Sequence, residues 1–285
     1  MTLDSNWFSE KCGKNFSAFS FEITEHLHSE KTAYQQIDIY HTKGFGNLMV
    51  IDGFVMLTQR DNFIYHEMMS HPVLYLHPNP ESVVIIGCGD CGTLREVLKH
   101  PEVQQVTQIE IDEQVTQLAE IHFPELCQSN NDPRATLAFI DGIQWIADQP
   151  DGTIDIIIVD STDPVGPAEG LFNQSFYADC FRALKTDGLL IQQSESPFYH
   201  LDILKAMHRA MQAAGFGSTH LLNYFQCSYP SGWWSSTIAC KQSKLPKLRK
   251  NESDQRPFTT RYFNTEMVQA AMTLPQDVKI ELSNL

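Results

Sequence analysis

One segment limits the architecture more than any other. Ser82 to Ile86 (SVVII) is a short apolar run that passes straight into Gly87-Cys88-Gly89-Asp90-Cys91-Gly92 and then into a helical pattern through Leu98. A buried-type strand, a G-x-G-x-x-G turn and a helix in that order predict a βαβ unit with a ligand site at the helix N-terminus. Asp90 narrows the ligand. A dinucleotide would press its pyrophosphate against that carboxylate, and two like charges a few ångströms apart in a partly dry cleft cost on the order of a few kcal/mol. An adenosyl sulfonium meets the loop without that cost; NAD does not. Glu110 closes the following strand, where an acid commonly accepts hydrogen bonds from ribose hydroxyls.

The pattern around this unit divides the 285-residue chain in two. Phe19 to His26, Tyr34 to Tyr40, Asn47 to Ile51 and Phe54 to Thr58 are short β-like runs separated by glycine turns, with Asp52-Gly53 a strong hairpin signal. Asn62 to Leu76 reads as a helix interrupted or bent near Pro72. Beyond Pro80, strands at 82–86, 106–110, 135–140, 154–159 and 188–192 alternate with helical segments, including 113–122, and predict a mostly parallel sheet. Thr219 to Phe225 and Ser235 to Cys240 read as an antiparallel pair closing one edge. Lys241 to Arg256 is polar and basic and reads as an exposed linker before a short helix at 265–272. The expected fold is α/β, with a small antiparallel domain over residues 1–60 and a catalytic domain over 61–285 that includes a docking C-terminal segment.

Composition excludes several classes. With 42% apolar and 19% charged residues the chain is globular rather than disordered or coiled-coil. Twenty basic against 35 acidic residues leave a net charge of −15, which disfavours nucleic acid and anionic membranes as partners. No apolar run spans a bilayer, and the start MTLDSNWFSEK lacks the form of a secretion signal. Seven scattered cysteines suit a reducing compartment, so a cytoplasmic location is expected.

Ligands of open α/β sheets bind beyond the carboxyl ends of the strands. Those ends carry Asp90, Glu110, Asp141 and the pair Asp160 and Asp163, with no Lys or Arg among them. A single acid at a strand end is ordinarily a helix N-cap. Five together describe a pocket built for positive charge. Glu110 and Asp141 fall where a nucleoside's ribose and base edge would lie, leaving Asp90, Asp160 and Asp163 for amines or a sulfonium. Pro164, Gly166 and Pro167 shape the segment after Asp160 into a loop over the site. Cys88-x-x-Cys91 has metal or redox spacing but no second ligand pair, so no metal is expected. Tyr65 and His66, on the helix joining the two regions, have a packed aromatic pair as the plain alternative, and Tyr224, Phe225, Tyr229, Trp233 and Trp234 read either as a strand core or as walls of an alkyl-amine slot.

The sequence resembles the spermidine synthase family of polyamine aminopropyltransferases. The resemblance rests on Tyr65-His66-Glu67-Met68 with His71-Pro72, on Gly87 to Val97, on Ile109-Glu110-Ile111-Asp112 and on Asp141-Gly142. It continues through Asp160-Ser161-Thr162-Asp163-Pro164-Val165-Gly166-Pro167-Ala168, Gln193-Ser194-Glu195-Ser196-Pro197 and Tyr229-Pro230-Ser231-Gly232. It covers about residues 20–240 and continues more weakly beyond. It implies an N-terminal β domain followed by a Rossmann-like, methyltransferase-type domain with helices on both sheet faces, assembled as a homodimer or homotetramer. The implied reaction moves the aminopropyl group of decarboxylated S-adenosylmethionine, a co-substrate rather than a cofactor, onto putrescine, giving spermidine and 5′-methylthioadenosine. By position, Gln35, Glu110, Asp141, Gly142 and Pro167 would contact the thioadenosyl part. Tyr65, His66, Asp90, Asp160, Asp163 and Gln193 would contact the amines, Tyr229 and Trp234 would line the acceptor slot, and Asp160 would be the general base.

Two departures stand out. The family loop commonly reads Gly-Gly-Gly-Asp-Gly-Gly, so Cys88 and Cys91 replace glycines, and Asp61-Asn62 stands where Asp-Glu is usual. The second departure predicts a change in how the far end of the acceptor is held. The competing readings are an aminopropyltransferase preferring cadaverine or agmatine, a diamine N-methyltransferase using S-adenosylmethionine, and a polyamine or methylthioadenosine sensor without turnover. Asp90 disfavours the methyltransferase, because it sits where that donor's carboxylate would go. An intact Asp160 and Asp163 disfavour the sensor.

Overall fold

The computed structural model describes residues 3–164 and 166–285, apart from the side chain of residue 167. Five strands, β1 (Trp7–Cys12), β2 (Ser17–Lys31), β3 (Gln36–Thr42), β4 (Gly46–Ile51) and β5 (Phe54–Thr58), form an antiparallel meander in sequence order. The β4–β5 turn shows why Asp52-Gly53 is a hairpin signal: both residues have positive φ, 50° and 86°, which matches the right-handed twist of the flanking strands. β1 was not anticipated, because WFSEKC mixes charge with aromatics and shows no clean alternation.

α1 (Asn62–Leu76) leads into the second sheet and runs unbroken through Pro72, contrary to the expected interruption. Every residue of α1 except Phe63 is buried. Packing on all sides outweighs the roughly 3 kcal/mol that an interior proline costs a helix.

There follow β6 (Ser82–Gly87), α2 (Gly92–Leu98), β7 (Gln105–Glu110), α3 (Glu113–His122), β8 (Ala135–Phe139), α4 (Gly142–Ala147), β9 (Ile154–Asp160), α5 (Gln174–Ala183), β10 (Leu184–Gln193), α6 (Leu201–Ala213), β11 (Ser218–Phe225) and β12 (Trp233–Cys240). The seven-stranded sheet has the order β11-β12-β10-β9-β6-β7-β8, parallel from β10 to β8 and antiparallel at the β12 and β11 edge. The α/β reading therefore holds. Val83, Ile85, Ile156 and Ile158 pack on α1, and Val84, Ile86, Ile157 and Val159 pack on α5 and α6. Burial of both faces is why these strands read as unbroken apolar runs. A third cluster joins the two sheets, setting Ile37, Ile39, Met49 and Ile51 against Val115, Leu118 and Phe123 of the α3 region.

The expectation of an exposed linker over 241–256 is corrected. Arg249 donates to the carbonyls of Leu74 and His77 at the end of α1 and pairs with Glu102, and Ser253 on α7 (Lys250–Asp254) is buried. The charged residues there are anchors as well as solvated groups. α8 (Thr265–Ala271) follows as expected, and an unanticipated α9 (Gln276–Ser283) ends the chain. Glu67 fixes this segment by accepting the backbone N–H groups of Arg261, Tyr262 and Phe263 at 2.9, 2.8 and 2.7 Å. No described helix is long and apolar enough to cross a membrane.

Candidate active site

The carboxyl ends of β6, β7 and β9 and the loop after β8 open into a cavity of about 200 Å³, roofed by Gln35, Met49, Ile51, Phe54 and Met56 of the N-terminal sheet. Asp90, Glu110, Asp141, Asp160 and Asp163 all line it, and no Lys or Arg does among the described residues. An adjoining cavity of about 40 Å³ lies between Glu10, Asp163, Gln193, Tyr229 and Trp234.

Asp160 lines the first cavity, and Tyr65, Ser161, Thr162 and Asp163 beside it line both. β6 and β9 are in register with Gly87 opposite Asp160, and the Cys88 N–H donates to the Asp160 carbonyl at 2.7 Å, so the backbone here is fixed. The Tyr65 hydroxyl donates to Oδ1 and the Thr93 hydroxyl to Oδ2, each at 2.6 Å. Burial, then the neighbouring Asp90 charge, push the Asp160 carboxyl up, while His66, Thr93 and Tyr65 act against that rise. The result is an oriented carboxylate with a heightened appetite for a proton. Thr93 was missed by the sequence reading; a hydroxyl in the first turn of a helix is ordinary and carries no signal of its own.

Asp90 is anchored by the Gly92 N–H at 2.6 Å, and the Nε2 of buried His66 lies 3.3 Å from its carboxylate. Burial alone would raise Asp90, but His66 and the Gly92 amide hold it below the usual carboxylate range. Burial pulls the His66 imidazole down, and Asp90 more than reverses this, so it ends above its ordinary value. Asp90 is thus an anion ready-made for a cation. His66 lines neither cavity and touches the first through Asp90.

Glu110 takes the Asp112 N–H at 2.9 Å, yet burial pushes its carboxyl up to about 7. Gln35 donates to Asp112 at 2.9 Å, beside Thr32 at 2.8 Å, which ties the N-terminal sheet to the end of β7. Asp141 is the N-cap of α4, with Oδ1 accepting from the Ile143 N–H at 2.8 Å. At Gly142 a Cβ would lie 2.6 Å from Ile86, so glycine lets α4 approach the sheet. Pro167 has its side chain outside the described residues.

The second cavity holds features the sequence reading did not isolate. Glu10 on β1 is buried, accepts the Val55 N–H at 2.8 Å and is pushed up to about 7, mainly by burial. Asp163 is driven well above the carboxylate range, first by burial and then by the neighbouring carboxylates of Glu195 and Glu10. Glu195, buried at φ 68°, lies 2.6 Å from His200 Nδ1. Their repulsion is relieved either by protons held among the carboxyls or by a cation placed between them. Nothing local in WFSEK marks Glu10; the register of β1 on β2 carries it to the site.

Tyr229 donates to the Met56 carbonyl at 2.6 Å and meets Trp234 edge-on at 4.6 Å between ring centroids, forming an aromatic wall. Both ends of the Gln193 amide are used by the protein, Nε2 toward the Thr162 carbonyl and Oε1 toward the Glu195 N–H, so Gln193 shapes the loop at this wall. Asn62 lines neither cavity and donates to the carbonyls of Thr58 and Gln59 at 2.8 and 3.2 Å. Its neighbour Asp61 accepts from Thr58 and from the Ser228 N–H, fixing the loop that carries Tyr229.

Comparison with known proteins agrees with this geometry. Residues 62–250 match the spermine/spermidine synthase domain model, and residues 6–59 match the spermidine synthase tetramerisation domain. The chain is 59% identical over 277 residues to a polyamine aminopropyltransferase of Thioalkalivibrio sulfidiphilus, covering 97% of each chain. It is 57% identical over 271 residues to that of Methylococcus capsulatus, covering 95% of each. Spermidine synthase from Thermotoga maritima superposes with a TM-score of 0.93 at 34% identity, over 100% of this chain and 97% of the other. A spermidine synthase in complex with the transition state analogue AdoDATO gives 0.94 at 34% identity with the same coverage. This chain belongs to the spermine/spermidine synthase family and is a polyamine aminopropyltransferase.

Proposed function

We propose that the enzyme transfers the aminopropyl group of decarboxylated S-adenosylmethionine to putrescine, yielding spermidine and 5′-methylthioadenosine. The observation that carries this reading is Asp160, held by Tyr65 and Thr93 in the same cavity as an anionic Asp90, with Tyr65 and Asp163 also lining the adjoining acidic cavity of Glu10. In this assignment the donor's ammonium rests on Asp90, its ribose hydroxyls on Glu110, and its adenine edge near Asp141, Gly142 and Pro167. The acceptor lies along Tyr229 and Trp234. Its far ammonium sits among Glu10, Asp163 and Gln193, and its near nitrogen faces Asp160.

A primary amine is nucleophilic only when neutral, and its solution pKa is about 10, as for lysine. Asp160 takes the proton as the nitrogen lone pair forms the new C–N bond. The C–S bond breaks with its electron pair going to sulfur, which leaves as a neutral thioether. The sulfonium carries its own leaving group, so the reading invokes no metal or cofactor. Catalysis is alignment plus proton removal. In the same reading residues 1–60 form the roof and assembly unit of a homodimer or homotetramer, residues 61–285 form the catalytic unit, and the enzyme works in the cytoplasm. Mass spectrometry of products after incubation with decarboxylated S-adenosylmethionine and a mixture of putrescine, cadaverine and agmatine tests the assignment. Spermidine should dominate; a different aminopropylated product would reassign the acceptor.

S-adenosylmethionine should be a poor donor, with kcat/KM at least roughly a hundredfold lower, because its carboxylate would meet Asp90 in a partly dry cleft. Similar turnover with both donors would remove Asp90 from the ammonium site.

Glu110 gives a pH prediction. It accepts ribose hydroxyls best as a carboxylate, and burial pushes its carboxyl up to about 7. Methylthioadenosine binding should therefore weaken as the pH falls from 8 to 6. Glu110→Gln should flatten that dependence and weaken binding at pH 8 by roughly ten- to a hundredfold, the value of a charged hydrogen bond. A buried acid raised above its unfolded pKa of 4.5 favours the folded state at low pH and loses that advantage as the pH climbs through 7. The glutamine variant, free of ligand, should then melt higher than the wild type at pH 8 and close to it at pH 5. Equal pH dependence of binding in both proteins, by calorimetric titration, would exclude Glu110 from the ribose site.

A further inference from the structure

The two cysteines that replace loop glycines do not share one environment. Cys88 lines the cavity, whereas Cys91, fully buried behind the loop, turns away from it toward Cys127 at the start of a short 3-10 turn, Cys127–Ser129. The Cys91 and Cys127 thiols are neighbours, held against successive carbonyls of one loop. Cys91 Sγ reaches that of Gly89 and Cys127 Sγ that of Asp90, both at 3.7 Å. Gln108 completes the cage, its Nε2 lying 3.6 Å from Cys91 Sγ. Cys127 is partly exposed, so a small oxidant can reach the pair from that side.

We propose that Cys91 and Cys127 are an oxidative modification site: hydrogen peroxide converts them to a disulfide that pulls the Asp90 loop out of its donor-binding position. The chemistry balances in two steps. The Cys127 thiolate attacks the peroxide O–O bond, giving the sulfenic acid and releasing hydroxide, which takes up the thiol proton as water. The Cys91 sulfur then displaces the sulfenic oxygen, forming the S–S bond and a second water. Two thiols are oxidised and one peroxide is reduced. Two thiols that each rest on a loop carbonyl at 3.7 Å must leave those contacts and close to about 2.05 Å from each other, so the backbone on one side has to move. Cys91 is the nearer lever, because it is one residue from Asp90 and sits at φ 65°, a conformation in which a side chain is already strained. Its movement breaks the Sγ contacts to Gly89 and Asp90 and shifts the carboxylate that meets His66 and Gly92. A displacement of about 1 Å at a positioning group can cost roughly a hundredfold in rate.

The functional consequence rests on the assignment of Asp90 to the donor; the disulfide does not. The test treats the whole protein with hydrogen peroxide. It reads intact mass, the Cys91–Cys127 cross-link by peptide mapping without reductant, and aminopropyl transfer before and after dithiothreitol. The expected result is a loss of 2 Da, a mapped 91–127 link, at least a tenfold fall in turnover, and recovery on reduction. Cys127→Ser and, independently, Cys91→Gly should start with near wild-type turnover, form no link and resist the fall. A link without loss of turnover overturns the switch, and so does equal inactivation of Cys127→Ser. Oxidation confined to the exposed Cys227 or to Cys12 overturns the site. Failure of the donor reading itself would show separately, as no aminopropyl transfer by the untreated wild type.

Discussion

Asp160→Asn should lower turnover by roughly two to four orders of magnitude while leaving methylthioadenosine binding largely intact. The substitution keeps the size of the side chain and removes its capacity to take a proton. One oxygen can still accept from Tyr65 or Thr93, but the amide group now donates where two hydroxyls also donate, so one of the 2.6 Å bonds is lost. Wild-type turnover should rise toward alkaline pH for two reasons. Asp160, raised by burial and by Asp90, has to be ionised to act as base, and the attacking amine loses its proton more readily. Both favour higher pH. In Asp160→Asn the first contribution disappears, leaving only the dependence that belongs to the amine. Asp163→Asn should behave differently. That residue lies off the rigid strand, in the acidic cavity with Glu10, and its loss should raise the Michaelis constant for the amine more than it lowers turnover. A dead Asp163→Asn beside an active Asp160→Asn would exchange the two roles.

The contrast between the two aspartates shows what a sequence can and cannot convey here. The acids at the strand ends were legible because a parallel sheet places every carboxyl end on one side, so runs such as IDIIIVD announce both the strand and where its last residue points. Glu10 was not legible. It reaches the site only because β1 pairs with β2 and its carboxylate takes the N–H of Val55, 45 residues away. Arg249 illustrates the same limit. In a run of lysines it looks solvated, yet its guanidinium closes the carbonyl end of α1, a contact decided by tertiary packing alone. Pro72 marks the reverse failure, in which a local rule was sound and burial overrode it. Cys88 and Cys91 sit at φ 62° and 65°, conformations that glycine adopts freely, so their strain marks the family's usual glycine positions more plainly than the letters do.

Gly87→Ala should be the most damaging small substitution in the loop, lowering kcat/KM at least roughly a hundredfold and destabilising the fold by about 2–4 kcal/mol. Gly87 has φ 89°, and a Cβ built there would lie 2.1 Å from the Asp160 carbonyl oxygen and 2.8 Å from its carbon. Those atoms are backbone, so no rotamer change can relieve the contact. Either β6 and β9 separate at their ends or the Cys88 N–H gives up its 2.7 Å bond to the same carbonyl. Both routes move Asp160, so the loss of activity should exceed what the loss of stability explains. That excess should persist at temperatures where the variant is fully folded. Cys88→Gly is the matched control on the next residue. It removes a left-handed side chain, relieving strain of order 1 kcal/mol, and adds a similar cost by loosening the unfolded chain, so its melting temperature should stay close to wild type. If Gly87→Ala retains wild-type kcat/KM once folded, the close approach of β6 to Asp160 does not set the position of the base, and the alignment must come from Tyr65 and Thr93 alone.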